Sequence, residues 1–446
     1  MAKAQMIFPK DFLWGTATAA YQVEGNNTNS DWWAWEQEDG RILNNHKSGR
    51  ASDWWENAEA DLDIAAELGT NAHRLSLEWS RIEPQPGEFS KEALDRYREI
   101  LQAMHERGIE PMVTLHHFSN PLWLVDKNDF NSDIVIDYFQ RYCAKTVEAI
   151  GDLVPKWITI NEPMVYVFMR YLSNDFPAPN KQGWGSAFEA ITHLLQCHAI
   201  GYHTIKEKFP HAIVGVAKNT PILQARPKGN FIDKIWAGRI AYLFNELWMK
   251  AMVDGRLRAP LGRGTVKHLA NSFDFVGINY YTRFYVKFPP RNGFYDTDWG
   301  PDAIVSDGNY GEVYPEGLYK VIHDALKFKK PIYITENGVP DADDDLRPYF
   351  IMTHLREIWR AISFAFPVMG YYHWSLVDNF EWDRGWTQRF GLIELDPETQ
   401  TRKLRKSGEL YGEICHSNSI SSEMAAKYAP QLLEIMFRGE APKQPA

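Results

Sequence analysis

Along the 446 residues, short apolar runs alternate with longer stretches in which apolar residues recur at helical spacing. Runs rich in apolar and β-branched residues occupy 11–18, 71–77, 110–116, 156–160, 212–218, 274–281, 331–335 and 367–374. Each has the length of a strand buried on both faces, as a parallel sheet requires. Between and after them, three- and four-residue spacing of apolar positions predicts helices over 54–68, 91–107, 133–150, 186–209, 231–252, 316–328, 346–364 and 407–415. The run Pro331-Ile332-Tyr333-Ile334-Thr335 shows the strand type well, because a Lys-Lys-Pro start and an Asn337-Gly338 turn leave no room for a helical turn.

Strand and helix alternating eight times predict an α/β protein, a (β/α)8 TIM barrel with long βα loops. A doubly wound sheet is the rival, and it would need a glycine-rich phosphate turn after the first strand. Gly15-Thr16-Ala17-Thr18-Ala19-Ala20 lacks that spacing, and Gly262-Arg263-Gly264 follows no strand. Neither an internal repeat nor a Pro/Ser-rich linker divides the chain, so residues 1–446 are expected to form a single catalytic domain. Residues 417–446 read as a C-terminal extension, helical over 423–437 and frayed at its charged, proline-containing end.

Composition narrows the partners. With 44% hydrophobic and 24% charged residues the chain is an ordinary globular sequence, which excludes collagenous, disordered and disulfide-scaffold classes. A net charge of −10 argues against neutralising nucleic-acid phosphates or anionic membranes. Cys143, Cys197 and Cys415 are odd in number and far apart, so neither disulfides nor a zinc knuckle is expected. No secretory signal and no run of 18 apolar residues is found, and the expected compartment is the cytoplasm. Against that background the Asn26-Asn27-Thr28 glycosylation pattern is read as chance.

Aromatic residues change the picture. They make up 14% of the chain, and several tryptophans lie beside charges, as in Asp31-Trp32-Trp33-Ala34-Trp35-Glu36 and Ser52-Asp53-Trp54-Trp55-Glu56. A flat apolar face with a polar edge suits a half-wet surface such as a sugar presents, and it suits equally the pinning of a long loop to the body of the fold.

In a barrel, reactive groups belong where strands end and βα loops begin. The fourth strand runs into Asn161-Glu162-Pro163, where the proline biases Glu162 towards an extended backbone, and the seventh ends in Thr335-Glu336-Asn337-Gly338. Two carboxylates across one pocket are what glycoside cleavage needs, one to protonate the leaving oxygen and one to attack or to activate water. Taken singly, either glutamate could be a solvated loop residue. Polar and aromatic residues nevertheless end the other strands as well: Gln22 and Glu24 after the first, Arg74 in the second, His116 and His117, Asn279 and Tyr281, and Trp374. A metal site on His116 and His117 is disfavoured, since neighbours in a strand point to opposite faces and one of the pair is expected behind the barrel wall. His198 and His203 read as ordinary helix-face residues, with Cys197 a small buried hydrophobe.

The segments Thr159-Ile160-Asn161-Glu162-Pro163 and Ile334-Thr335-Glu336-Asn337-Gly338 resemble the acid/base and nucleophile signatures of family 1 of the glycoside hydrolases, the β-glucosidase family. Residues 12–25 resemble that family's opening, and residues 374–382 its late sugar-binding loop, so four ordered motifs span about residues 8 to 415. The resemblance implies a retaining double displacement with Glu336 as nucleophile and Glu162 as general acid/base, their carboxyls about 5–5.5 Å apart. It implies that Arg74, Tyr281 and Asn279 support the nucleophile. It also implies that Gln22, His117, Asn161 and Glu381 hold sugar hydroxyls, with Trp374 under the sugar's apolar face and Trp382 at the rim.

The activity that this resemblance implies is that of a β-glucosidase acting on terminal non-reducing glucose, with galactosidase, fucosidase and transglycosylating side activity. Its partners would be small β-glycosides, cellobiose-like or with aryl or alkyl aglycones, and no cofactor or metal is implied. A β-galactosidase or β-mannosidase is the nearest alternative, and a sugar-binding protein without catalysis the furthest. Glu381 would repel a phosphate beside it, which argues against phospho-sugar hydrolases, and a glutamate at 162 argues against plant thioglucosidases, which carry glutamine there. The chain departs from the family after Pro163, where Met164 and 169–174 replace the usual Trp and Gly-rich segment.

Overall fold

The computed structural model describes residues 4–177, 182–226, 229–288, 299–300 and 302–437, and in it every one of the eight apolar runs is a strand. They are β1 (Leu13–Ala17), β2 (Ala72–Ser76), β3 (Glu110–His116), β4 (Lys156–Asn161), β5 (Ile213–Asn219), β6 (Phe275–Asn279), β7 (Ile332–Asn337) and β8 (Val368–Trp374). All neighbours pair in parallel and in chain order, and β8 closes on β1. The chain is thus a closed (β/α)8 barrel. Every residue of β2, β4, β6 and β7 is buried, which is why these runs carry no polar alternation.

Helices α1 (Trp54–Glu67), α2 (Lys91–Glu106), α3 (Ile134–Ile150), α4 (Trp184–Lys208), α5 (Phe231–Ala241), α6 (Pro315–Ala325), α7 (Arg347–Ser363) and α8 (Lys406–Ser417) follow the strands in turn. The predicted helix 231–252 is interrupted: after α5 a π-turn at Tyr242–Glu246 leads into Leu247–Asp254. A π-turn is a single-turn insertion within a helix, and the apolar residues on both sides of it still read as one helical stretch.

Two additions escape the strand pattern. Ile222–Ala225 and Arg283–Val286 pair in parallel beyond the ends of β5 and β6. Gln5–Ile7 pairs antiparallel with Ser419–Ser421, tying the start of the chain to the segment after α8. The helix expected over 423–437 divides into Ser422–Tyr428, a turn at Pro430–Leu432 and Leu433–Met436, because Pro430 cannot continue the first piece. Residues 438–446, where a frayed end was expected, lie outside the described residues. Cys143, Cys197 and Cys415 are buried and unbridged. No helix among the described residues is long and apolar enough to cross a membrane.

Three ladder irregularities cluster at the C-terminal rim of the barrel, between Ile158 and Asn161, between Ile278 and Asn279, and between Ile334 and Asn337. Such bulges re-aim side chains next to sites. Gly338 lets the chain leave β7 there, because a Cβ at this position would lie 1.8 Å from the Trp374 carbonyl oxygen.

Candidate active site

Glu336 lies within β7 and is buried, and both its carboxylate oxygens are held. The Arg74 guanidinium pairs with Oε1, and the Tyr281 hydroxyl donates to Oε2 at 2.7 Å. Arg74 is fully buried in β2, which is tolerable because its donors are engaged: Nε to Thr114 Oγ1 at 3.1 Å, Nη1 also to the Thr335 carbonyl at 3.1 Å, and Nη2 to Asn161 Oδ1 at 2.6 Å.

Glu162 has different company. Strand β4 stops at Asn161, and Glu162 adopts a left-handed backbone with φ 43° rather than the extended one expected before Pro163. Proline disfavours only the right-handed helical region for the residue before it, and the left-handed turn swings the carboxyl into the barrel mouth. Holding a non-glycine residue there costs about 1–3 kcal/mol, and three more cavity-lining residues, Phe118, Asn309 and Trp382, share the positive φ. Among the described residues only amides hydrogen-bond to the Glu162 carboxylate: Asn279 Nδ2 donates to Oε1 at 2.8 Å and Asn219 Nδ2 to the same oxygen at 3.3 Å. Burial, and then the negative charge of Glu336, push the Glu162 carboxyl up to about 8.

Asn279 is thus a correction, for it was expected to support Glu336 and instead holds Glu162. The reason is local: the Thr335 hydroxyl donates to Asn279 Oδ1 at 2.7 Å, which turns the amide NH2 towards Glu162 and Asn161. Glu24 also leaves the site. It is buried against the helical layer, accepting from Tyr97 and from Arg81 Nε at 3.1 Å. His198 lies on the helix as expected, on the inner face of α4, wholly buried and bonded to Thr159 Oγ1 at 2.6 Å and to the Ser272 carbonyl at 2.9 Å.

The remaining expected residues converge on one cavity of about 310 Å³ that Glu162 and Glu336 also line. His117, Asn161, Tyr281, Trp374, Glu381 and Trp382 face it, and Gln22 sits immediately behind, donating to Glu381 Oε2 and Asn379 Oδ1, both at 2.9 Å. Asn161 Nδ2 donates to His117 Nε2 at 2.9 Å, which leaves the proton of this neutral imidazole on Nδ1. His117 Nδ1 and Gln22 Oε1 have no hydrogen-bond partner among the described residues. Burial raises Glu381 to about 8, with the charges of Asp383, Glu336 and Glu162 adding to the rise. The His117 ring lies nearly parallel to Trp374 and to Trp382, at centroid distances of 6.1 and 5.9 Å. His116 points away, bonded to Asn120 and packed on Phe130 and Tyr166.

The polar-flanked tryptophans of the N-terminal half pin loops. Trp32 is fully buried 4.8 Å from Trp382 and Trp54 is buried against His73, and neither lines the cavity. The segment that departs after Pro163 forms a short helix, Pro163–Phe168, and a second π-turn, Met169–Ser173. Val165, Phe168 and Met169 face the cavity, while buried Arg170 anchors the segment to Asp31 at 2.8 Å and to Asp129 at 2.6 Å. Asn219 was missed, although it ends β5 as the other site residues end their strands. Leu223, Ile240, Phe244 and Phe284 were missed as well, because they come from the short outer sheet and the α5 segment.

Fold and site together define a barrel enzyme of the glycosidase class. A sequence profile for glycosyl hydrolase family 1 matches residues 4–420, and the chain belongs to that family. Beta-glucosidase A of Thermotoga maritima is 31% identical to it over 447 residues, covering 93% of this chain and 98% of that one. Beta-galactosidase of Pyrococcus woesei is 30% identical over 509 residues, covering 94% and 99%. Among solved structures, a beta-glycosidase from Pyrococcus horikoshii superposes with a TM-score of 0.87 at 36% identity, covering 95% of this chain and 98% of that one. The Thermotoga maritima beta-glucosidase in complex with castanospermine gives 0.86 at 30% identity, covering 93% and 99%.

Proposed function

We propose that this glycosidase is a retaining β-glucosidase that removes terminal non-reducing β-D-glucosyl residues. One observation carries the assignment of roles: Glu336 is paired with a cation and a phenol, whereas Glu162 is held, among the described residues, by neutral amides alone. The first setting holds both oxygens of the group that attacks, and the second suits a carboxyl that keeps its proton at neutral pH.

Glu336 attacks the anomeric carbon as Glu162 gives its proton to the departing oxygen, leaving a glycosyl ester on Glu336 and a carboxylate at 162. Esterification removes the negative charge that helps to hold Glu162 protonated, so its proton affinity falls and it becomes the base the second step needs. It then takes a proton from water, whose oxygen attacks the anomeric carbon and releases Glu336. An acceptor alcohol in place of water gives transglycosylation. His117 Nδ1, Gln22 and Glu381 are suited to sugar hydroxyls, and Trp374 to the apolar face of the ring.

We take the chain to act as one (β/α)8 catalytic domain extended beyond residue 417, and its three buried, unbridged cysteines accord with a cytoplasmic setting. Progress curves on 4-nitrophenyl β-glucoside, β-galactoside, β-mannoside and 6-phospho-β-glucoside, for wild type and Glu336→Ala, test the reading. Glucoside preference that disappears in the variant is expected. Preference for galactoside or mannoside would overturn the sugar assignment, and activity surviving in Glu336→Ala the role of that residue.

A further inference from the structure

Strand β5 ends in two polar residues that face opposite ways. Asn219 points into the barrel mouth and touches Glu162. Lys218 points outward, between the barrel and the helices, and is 3% exposed. No carboxylate among the described residues forms an ion pair with it. Its amine instead donates to two carbonyl oxygens, that of Asn219 at 2.9 Å and that of Phe244 at 2.5 Å, and lies 5.4 Å from the Phe244 ring.

A buried lysine without a counter-ion is costly, and a methionine would fill the same slot at no such cost. The two carbonyls it ties are those of neighbours of the reaction. Asn219 is a hydrogen-bond donor to Glu162, and Phe244, within the π-turn after α5, is part of the cavity's outer wall. Asn245 adds a second tie from the same turn, donating to the Pro221 carbonyl at 2.9 Å.

We propose that Lys218 is a positioning residue for the acid/base Glu162: its amine clamps the end of β5 to the π-turn, fixing the Asn219 amide against Glu162 and the Phe244 wall over the leaving group. The inference rests on the assignment of Glu162 given above. The charged groups facing Lys218 are Glu162 from the end of β4, Glu246 from the π-turn, already paired with Lys250 and Lys327, Lys320 and Asp324 from α6, and Lys327 from the turn that follows it. Burial pulls the Lys218 amine down to about 7, and Glu162 opposes that pull. Removing the amine slackens the Asn219 donor, and a weaker donor to the carboxylate favours the protonated carboxyl, which moves its titration upward.

The test is the pH profile of kcat/KM for Lys218→Met, on an alkyl β-glucoside and on 2,4-dinitrophenyl β-glucoside. The alkaline limb is expected about half a unit higher than in wild type. The alkyl substrate, which needs proton donation, should lose about tenfold more than the dinitrophenyl one. A limb that stays in place, or equal loss on both substrates, overturns the proposal. If Lys218→Met does not fold, Lys218→Leu, which also removes the donor, is judged by the same two readings. Glu162→Gln on the same substrates tests the acid/base assignment itself, so failure there is distinguishable from failure at Lys218.

Discussion

The floor of the cavity and its outer wall differ in both chemistry and origin. On the floor, Arg74, Asn161, Asn279, Tyr281 and Thr335 hydrogen-bond to one another and to the two glutamates, and all come from the barrel strands or the residue or two beyond them. A short way outward Val165, Phe168, Met169, Leu223, Phe244 and Phe284 offer carbon to the ligand, and they come from two π-turn segments and a two-stranded sheet outside the barrel. The floor is a network in which each group is fixed by the next, as a pre-organised charge distribution requires. The wall is held by packing and a few carbonyl contacts. Rate should therefore depend on the floor and leaving-group preference on the wall.

Breaking the floor has the largest expected consequence. Glu162→Gln should lower kcat/KM for alkyl β-glucosides by about 10²–10⁴-fold while sparing 2,4-dinitrophenyl β-glucoside. The wild-type profile should fall above a pH of about 8, where Glu162 loses its proton, and this limb should vanish in the variant. Equal damage to both substrates would remove Glu162 from the acid role. Next, Tyr281→Phe deletes one charge-assisted hydrogen bond to Glu336 and should cost about 10–100-fold in kcat, read by steady-state kinetics on the aryl glucoside. On the wall, Phe244→Ala should weaken kcat/KM for octyl β-glucoside by about tenfold while leaving methyl β-glucoside nearly unchanged. An equal effect on both would mean that the ring serves the floor.

The smallest effect lies outside the cavity and concerns stability. Glu78 is buried, accepting from Ser80 and Ser119, and burial raises it to about 7, with the charge of Glu24 adding to the rise. Its folded form therefore holds a proton that the unfolded chain releases above a pH of about 4.5. Its contribution to stability is lost as pH rises through that interval and levels off above about 7. Glu78→Gln cannot ionise, so denaturant titrations at pH 5 and 8 should differ less in the variant than in wild type, by about 1–3 kcal/mol.

The same division explains what the amino-acid pattern could tell. Strands buried on both faces carry a plain apolar signature, and both glutamates were legible because each ends such a run next to a turn. Asn219 obeys the same rule at the end of β5 and was within reach of it. The direction of Asn279 was not, because it depends on a Thr335 hydroxyl from the neighbouring strand and on a bulge between Ile278 and Asn279. Glu24 follows β1 just as Gln22 does, yet Tyr97 and Arg81 draw it outward, and that choice belongs to tertiary structure. The wall was illegible for a further reason: π-turns and a four-residue sheet leave no periodicity of their own.

The central claim is that Glu336 becomes covalently bonded to the sugar while Glu162 only exchanges protons. Incubation with 2,4-dinitrophenyl 2-deoxy-2-fluoro-β-glucoside slows the second step more than the leaving of dinitrophenolate, and digestion followed by mass spectrometry locates the trapped sugar. The account predicts one fluoroglucosyl group, on the peptide containing Glu336, in wild type and in Glu162→Gln alike. The label on a peptide containing Glu162, or turnover without any covalent species, would contradict it.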